Sequence, residues 1–361
     1  MFKKEVTSQL IRLSQKTRGF IGLLVAMVLL GMVSPVNAQS QVTKAGDDAV
    51  AKQAEADSQL DDICQEISQR LASVSYNECR NIPYRAPRYF SVQKRPIIEA
   101  HYAANDTVKD PARILVLGGI HGDEYSSISV TFKWLNTLNI YHSGAYDWLF
   151  APLANPDGLF AQPATRVNSR GVDLNRNFMS PANDEAPLVH WRDHGKKRLR
   201  YYPGESPLSE PESLMVHRLI AEYKPTAIVS VHAPHGIVDF DGDTPPPNSL
   251  GALQLKRLGT YPGSLGNYSW NMRGIPVVTV ELASAGSMPG PGQVSQMWVD
   301  LVRWVRTQVA PNVSLYKAHQ ITKSQPSEPS ESPKAAVQTA TDNTAPATQP
   351  EQNTEITEEP K

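Results

Sequence analysis

The chain is short of three things: net charge, long apolar runs and cysteine. Lysine and arginine number 35 against 36 acidic residues in 361, a formal net charge of −1. A nucleic-acid binder needs a basic footprint, so the balance argues against one. The apolar run GFIGLLVAMVLLGMV at 19–33 is short for a membrane span, which takes about 20 residues. It follows Lys3, Lys4, Arg12, Lys16 and Arg18 and precedes SPVNA, with Val36 and Ala38 as small residues before a cut. That order describes a secretory signal at 1–38, cleaved after Ala38. Membrane contact is then expected only through an uncleaved signal segment, and the expected location is periplasmic or secreted. No cysteine stands at the cut, which removes the simplest lipoprotein reading.

Cys64 and Cys79 are the only cysteines. An even count in an exported chain favours a disulfide. Closing a loop of about 15 residues contributes roughly 3 kcal/mol in the chain-entropy model. A metal-binding pair is the weaker alternative, because no histidine lies near either residue.

Composition divides the remainder. Residues 39–58 are polar and alanine-rich and read as a flexible leader, and 59–109 form an N-terminal part with the cysteine pair. Residues 319–361, including KSQPSEPSESPK, hold almost no large apolar residue and read as a disordered tail rich in Pro, Ser, Thr and Glu. Such a segment buries too little surface to offset its ordering entropy.

Between them, at 110–318, strand and helix patterns alternate in one catalytic domain. ILVLGG (114–119), TAIVSVH (226–232) and IPVVTVEL (275–282) are buried-strand runs, and SISVTFKWLNTL (127–138) and SEPESLMVHRLIAEY (209–223) read as helices. The second helix opens on Ser209, Pro211 and Glu212, a cap and first turn. A last helix aligns Val294, Met297, Trp298, Leu301, Val302 and Val305 on one face. The fold expected is α/β, a mixed and largely parallel central sheet with helices on both faces. Sites in such sheets gather beyond the carboxyl ends of strands.

Four polar motifs sit at those ends: HGDE, NPDG, HAPHG and the Glu281 segment. His121 and Glu124 are spaced H-x-x-E on a loop leaving a strand, and His232 ends another. Two histidines and a glutamate suit a single Zn²⁺ with its fourth position open, as a catalytic rather than structural ion requires. Such an ion needs a base for the proton of its water, and Glu281 follows the buried run VVTV, where a carboxylate is costly without a purpose. In TRVNSRGVDLNRNF (165–178), arginines alternate with asparagines. That chemistry grips a free carboxylate in two-pronged fashion.

These residues resemble the zinc carboxypeptidase family, and within it the bacterial murein peptide amidase A group. The matching pieces are IHGDEYSS, NPDG, TRVNSRGVDLNRNF, LSEPES, VSVHAPHG, YPGSLG and VTVEL, in family order across roughly 110–305. The resemblance implies His121, Glu124 and His232 as zinc ligands and Glu281 as general base and acid. It implies that Arg166 polarises the scissile carbonyl and that Asn175 and Arg176 hold a terminal carboxylate. Tyr261 is the first candidate for a substrate-contacting tyrosine and Tyr268 the second. Asp123 is read as an orienting partner of a ligand or a loop cap, His235 as structural, and the basic run HWRDHGKKRLR (190–200) as solvated surface or an attractor of anionic wall peptides.

The implied reaction is hydrolysis of an amide bond next to a free carboxylate, with a peptide partner from the cell wall. The bond would be that between γ-D-glutamate and diaminopimelate in peptidoglycan stem peptides. The alternatives are a general metallocarboxypeptidase acting on ordinary peptides and a deacylase of small acyl-amino acids. A wall-binding protein without catalysis would have lost ligand or base positions, and none is lost.

Overall fold

The structure, a computed structural model, describes residues 36–324, with side chains from 48 to 323. The apolar run of the expected signal and residues 325–361 of the tail lie outside the described residues. Helix α1 spans Val36–Arg70. Residues 39–58 are therefore helical rather than an irregular leader: AVAKQAEADSQ is built largely from strong helix formers. The chain divides into two compact units, one ending at Glu55 and one beginning at Ala56. From Ala56 onward α1 turns amphipathic, and Leu60, Ile63, Ile67 and Leu71 bury a stripe at helical spacing. That stripe packs with Ile128, Phe132, Leu153 and Leu159.

Cys64 and Cys79 are disulfide-bonded and both fully buried. The bond ties α1 to α2 (Tyr76–Arg80), whose start is fixed by a capping box between Ser75 and Glu78.

A two-stranded ribbon of β1 (Tyr89–Phe90) and β2 (Pro96–Ile97) precedes the main sheet. The sheet has eight strands: β3 (Ala100–Tyr102), β4 (Arg113–Leu117), β5 (Asp147–Ala151), β6 (Ala227–His232), β7 (Ile237–Asp241), β8 (Ser249–Leu250), β9 (Leu253–Leu255) and β10 (Val277–Glu281). Their order is β3-β5-β4-β6-β10-β7-β9-β8. The central four, β5, β4, β6 and β10, run parallel, while β3 and β7 are antiparallel to their inner neighbours. The expected mixed, largely parallel sheet is thus observed. The boundary drawn at 110 falls between β3 and β4, inside this sheet, because β3 hydrogen-bonds to β5 as its edge strand.

Period-two alternation decides which helices cover which face. Val116, Val229, Val231, Val278 and Val280 face α3 (Tyr125–Tyr141) and α7 (Pro291–Trp304), through Trp134, Leu138, Met297 and Leu301. Leu115, Leu117, Ile228 and Val277 face α6 (Pro211–Tyr223), through Met215, Leu219 and Tyr223. The cap of α6 is Glu210 rather than Ser209; Ser209 Oγ instead meets Asn177 and Glu210. Helix α8 (Val313–Ser324) buries Val313 and Tyr316 and continues past the expected limit of 318. Two shorter helices, α4 (Pro156–Phe160) and α5 (Ala186–Asp193), border the site. Among the described residues, no helix is long and apolar enough to cross a membrane.

Candidate metal centre

The face covered by α6 is apolar only part of the way along the strands. Toward the carboxyl ends of β6 and β10 it changes to Ser230 and His232, and to Thr279 and Glu281, and there it opens into a cleft of about 680 Å³. His121, Glu124, Arg166, Asn175, Arg176, His232, Tyr261 and Glu281 all line it. Every site residue expected from sequence thus faces one cavity.

The HGDE loop is held in place by the NPDG turn. A Cβ on Gly122 would lie 2.1 Å from the carbonyl carbon of Gly158, so the two backbones touch. Asn155 Oδ1 accepts from Gly158 N at 2.8 Å, and its Nδ2 donates to the Ile120 carbonyl at 3.3 Å. NPDG therefore acts as scaffold. The loop delivers His121, then Glu124 at the N-cap of α3. His232 ends β6.

Donor atoms of the three side chains converge. His121 Nδ1 lies 2.7 Å from Glu124 Oε1, His232 Nδ1 lies 3.1 Å from Glu124 Oε2, and the two Nδ1 atoms are 3.2 Å apart. All three residues are at most 3% exposed. Two nitrogens bound tetrahedrally to zinc at about 2.0 Å would be separated by about 3.3 Å. The donor set thus fits that ion in both chemistry and spacing. Histidine, glutamate and histidine here form the one cluster able to hold a metal among the described residues.

Asp173 was missed by sequence reasoning. It is fully buried, lies 3.1 Å from His121 Nε2 and accepts from Arg166 Nε at 2.8 Å. A carboxylate on the far ring nitrogen fixes the tautomer and leaves Nδ1 to the metal. Its signal in the sequence is VDLNRN, a lone aspartate between apolar Val172 and Leu174. Asp123 does not fill this role: its Oδ2 accepts from Arg200 Nη1 at 2.8 Å.

Burial alone would push the pKa of these carboxyls up, but their partners outweigh it. Glu124 is held well below the usual carboxylate range by His121 and His232, and Asp173 by Arg166 and His121. For the His121 ring, burial and Arg166 oppose the charged form, yet Glu124 and Asp173 prevail and its proton affinity rises.

Arg166 stands at the edge of the cluster, its Nη1 3.2 Å from His121 Nδ1 and 3.6 Å from Glu124 Oε1. Arg176 is different. Its Nη1 donates to the Asn175 carbonyl at 2.6 Å and its guanidinium lies 4.9 Å from the centre of the Tyr261 ring. Among the described residues it has no ion-pair partner, and burial pushes its pKa down. A cation without a counterion in a cleft is suited to receive an anion. Asn175 Oδ1 accepts from Leu265 N at 2.8 Å, which fixes the amide.

Glu281 ends β10 directly beside His232, and its Oε2 is buried without a hydrogen-bond partner among the described residues. Of the two tyrosines, Tyr261 is 44% exposed in the cleft. Tyr268 is fully buried, stacked on Phe178, with its hydroxyl at His217 and Arg273.

Two further readings change. His235 is exposed on the cleft wall rather than structural. The basic run 190–200 contributes His190, Trp191, His194, Arg198 and Arg200 to that wall. With Arg166 and Arg176 it makes one side of the cleft cationic.

A sequence model described as zinc carboxypeptidase matches residues 90–250, and so ends before Tyr261 and Glu281. Murein peptide amidase A of Escherichia coli strain K12 is 30% identical over 201 residues, 53% of this chain and 79% of that protein. Its namesake from Vibrio campbellii is 33% identical over 182 residues, 48% of this chain and 71% of that one. The crystal structure of thrombin activatable fibrinolysis inhibitor superposes with a TM-score of 0.50 at 16% identity, over 68% of this chain and 72% of that one. That last likeness shows the fold.

Proposed function

The chain belongs to the zinc carboxypeptidase family of hydrolases, and we propose that it is an exported zinc amidase of peptidoglycan stem peptides. The bond cut is the amide between γ-D-glutamate and diaminopimelate. The observation that carries this reading is the arrangement of three parts in one cleft: a His-Glu-His cluster and, among the described residues, a Glu281 oxygen without a hydrogen-bond partner and an Arg176 without a direct ion pair. The names of the Escherichia coli and Vibrio campbellii relatives support the substrate. The buried disulfide supports an oxidising compartment outside the cytoplasm.

His121, Glu124 and His232 would hold one zinc ion. When bound, zinc supplies Lewis acidity and lowers the pKa of water at its open position. Arg176 and Asn175 receive the carboxylate of the residue to be released and fix which amide reaches the metal centre. Arg166 faces the developing negative charge on the carbonyl oxygen, and Asp173 keeps that guanidinium in place. Glu281 takes the proton of the attacking water and returns it to the leaving nitrogen.

The test uses zinc-loaded protein and the tripeptide L-Ala-γ-D-Glu-meso-diaminopimelate, with released diaminopimelate followed by mass spectrometry. Release supports the reading. Intact tripeptide after long incubation, together with cleavage of ordinary C-terminal peptides, would replace it with a general carboxypeptidase.

A further inference from the structure

The basic run HWRDHGKKRLR carries Arg192, Lys196, Lys197, Arg198 and Arg200 against one acid, Asp193, in a chain whose net charge is −1. Internal pairing takes up two of these cations. Arg192 Nε donates to Asp193 Oδ1 at 2.8 Å, and Arg200 Nη1 donates to Asp123 Oδ2 at 2.8 Å. Lys196, Lys197 and Arg198 are exposed and enter no direct ion pair among the described residues. The strand side of the same cleft instead carries Asp239 and Asp241.

These cations stand on a fixed frame rather than a loose loop. Trp191 Nε1 donates to the Arg198 carbonyl at 2.8 Å, and Lys197 N donates to the Trp191 carbonyl at 3.1 Å. The Trp191 and Tyr202 rings meet edge to face, 5.0 Å apart. Gly195 lets the turn close, since a Cβ there would lie 2.7 Å from the Trp191 carbonyl oxygen. Lys196 and Lys197 both have a φ of 52°, a left-handed backbone that glycine or asparagine adopts at less cost. Local backbone preference therefore gives no reason for lysine at either position.

From this rim a line of cations leads inward. The Arg198 guanidinium lies 4.7 Å from the centre of the Tyr201 ring, and that of Arg166 lies 5.3 Å from the same centre. The two guanidiniums are then no further apart than about 10 Å, one Debye length at 0.1 M salt. Burial, and after it the positive neighbours His194 and Arg176, hold the pKa of His190 below its ordinary value.

We propose that this wall is an electrostatic docking surface that draws in the acyl side of the substrate, through a carboxylate other than the one received at Arg176. The inference rests on the amidase reading above, in which Arg166 faces the scissile carbonyl. An amide made at the γ-carboxyl of glutamate leaves the α-carboxylate of that residue free. An ordinary α-linked residue has no such group unless its own side chain is acidic. Exposed charges act through solvent, so each contributes little at high salt, and several together raise the local concentration of an anion. The surface therefore favours γ-glutamyl peptides by encounter and weak attraction, outside the centre where the bond is cut.

Two dipeptides test the surface without turnover: L-Ala-D-glutamate and L-Ala-D-isoglutamine, which differ only in an α-carboxylate against an α-amide. Calorimetry on zinc-loaded protein at low salt is expected to show the glutamate form bound about fivefold more tightly, the effect of one charge pair near 4 Å in water. In Lys196→Glu with Lys197→Glu that preference is expected to vanish. Both side chains are exposed, and zinc content with circular dichroism checks that the variant is folded. For the tripeptide L-Ala-γ-D-Glu-meso-diaminopimelate, the same variant should lower kcat/KM at low salt by about tenfold, through KM, and the gap should close at high salt. Equal binding of the two dipeptides by the wild type, or an undiminished preference in the variant, overturns the proposal. Tripeptide cleavage that neither salt nor the charge reversal alters removes the surface and leaves the amidase. A dipeptide preference that the reversal abolishes, with no tripeptide cleaved by the wild type, supports the surface and counts against the amidase.

Discussion

His232 and Glu281 are register partners, the last residues of two adjacent parallel strands. A proposed metal ligand and the proposed base thus project from the same face of one rigid ladder, and their separation is set by backbone hydrogen bonds rather than by a loop. The other two proposed ligands, His121 and Glu124, come from a loop clamped by backbone contact with the NPDG turn. Geometry of this kind is held before substrate arrives, which is what catalysis by positioning requires.

Asp173 is expected to control the metal without touching it. Asp173→Asn retains a polar group at His121 Nε2 but removes the charge that holds both the ring and Arg166. Zinc affinity, read by competition with a chelator, should fall about 10- to 100-fold. An unchanged affinity would leave Asp173 with a role toward Arg166 alone.

Arg176 is expected to act on substrate binding. Arg176→Lys retains charge but loses the planar fork, so KM for the tripeptide should rise more than tenfold. A matched tripeptide amidated at its C-terminus should lose the difference between wild type and variant. Discrimination kept on the amidated substrate would move the carboxylate grip elsewhere.

Removal of the Cys64–Cys79 bond should cost stability and spare chemistry. The closed loop separates residues 15 apart, for which the chain-entropy contribution is about 3 kcal/mol. Cys64→Ser with Cys79→Ser should lower the denaturant midpoint accordingly while kcat on properly folded protein stays the same. An unchanged midpoint would contradict this assignment of stability.

Asp241 gives a pH signature. Its carboxyl is pushed from an ordinary 3.8 up to about 7 by burial and Asp239, with Arg257 opposing; Arg176, His190, His194 and Glu281 line the same cleft. Between those values the folded state binds more protons than the unfolded one, so stability falls as pH rises. Asp241→Asn should flatten that part of the profile and be the more stable protein at pH 8. Parallel thermal profiles for the two proteins would contradict it.

How much was legible in the sequence follows from which forces are local. The runs ILVLGG, TAIVSVH and VVTVEL are buried on both faces, and their apolar character marks the central strands directly. The proposed ligands and base are polar residues at the ends of those runs, where they stand out. Asp173, Asp239 and Asp241 did not. Asp173 acts through a partner 52 residues away. Strand β7 reads as IVDFD because one of its faces lines water, so it lacks the apolar run that revealed its neighbours. The basic segment 190–200 resembles solvated surface for the same reason, since a cleft wall and an outer surface face the same solvent. The helix across 39–58 was hidden by polarity, which speaks to burial but not to backbone conformation.

Glu281→Gln tests the central claim most directly, with zinc content and turnover measured on the same preparation. The substitution keeps size and the strand, and leaves His121, Glu124 and His232 intact. One zinc per chain is expected, as in wild type, with release of diaminopimelate from the tripeptide reduced by about 10²- to 10⁴-fold, the range of a lost general acid–base. Full zinc with undiminished release would contradict it and take the proton-transfer role away from Glu281.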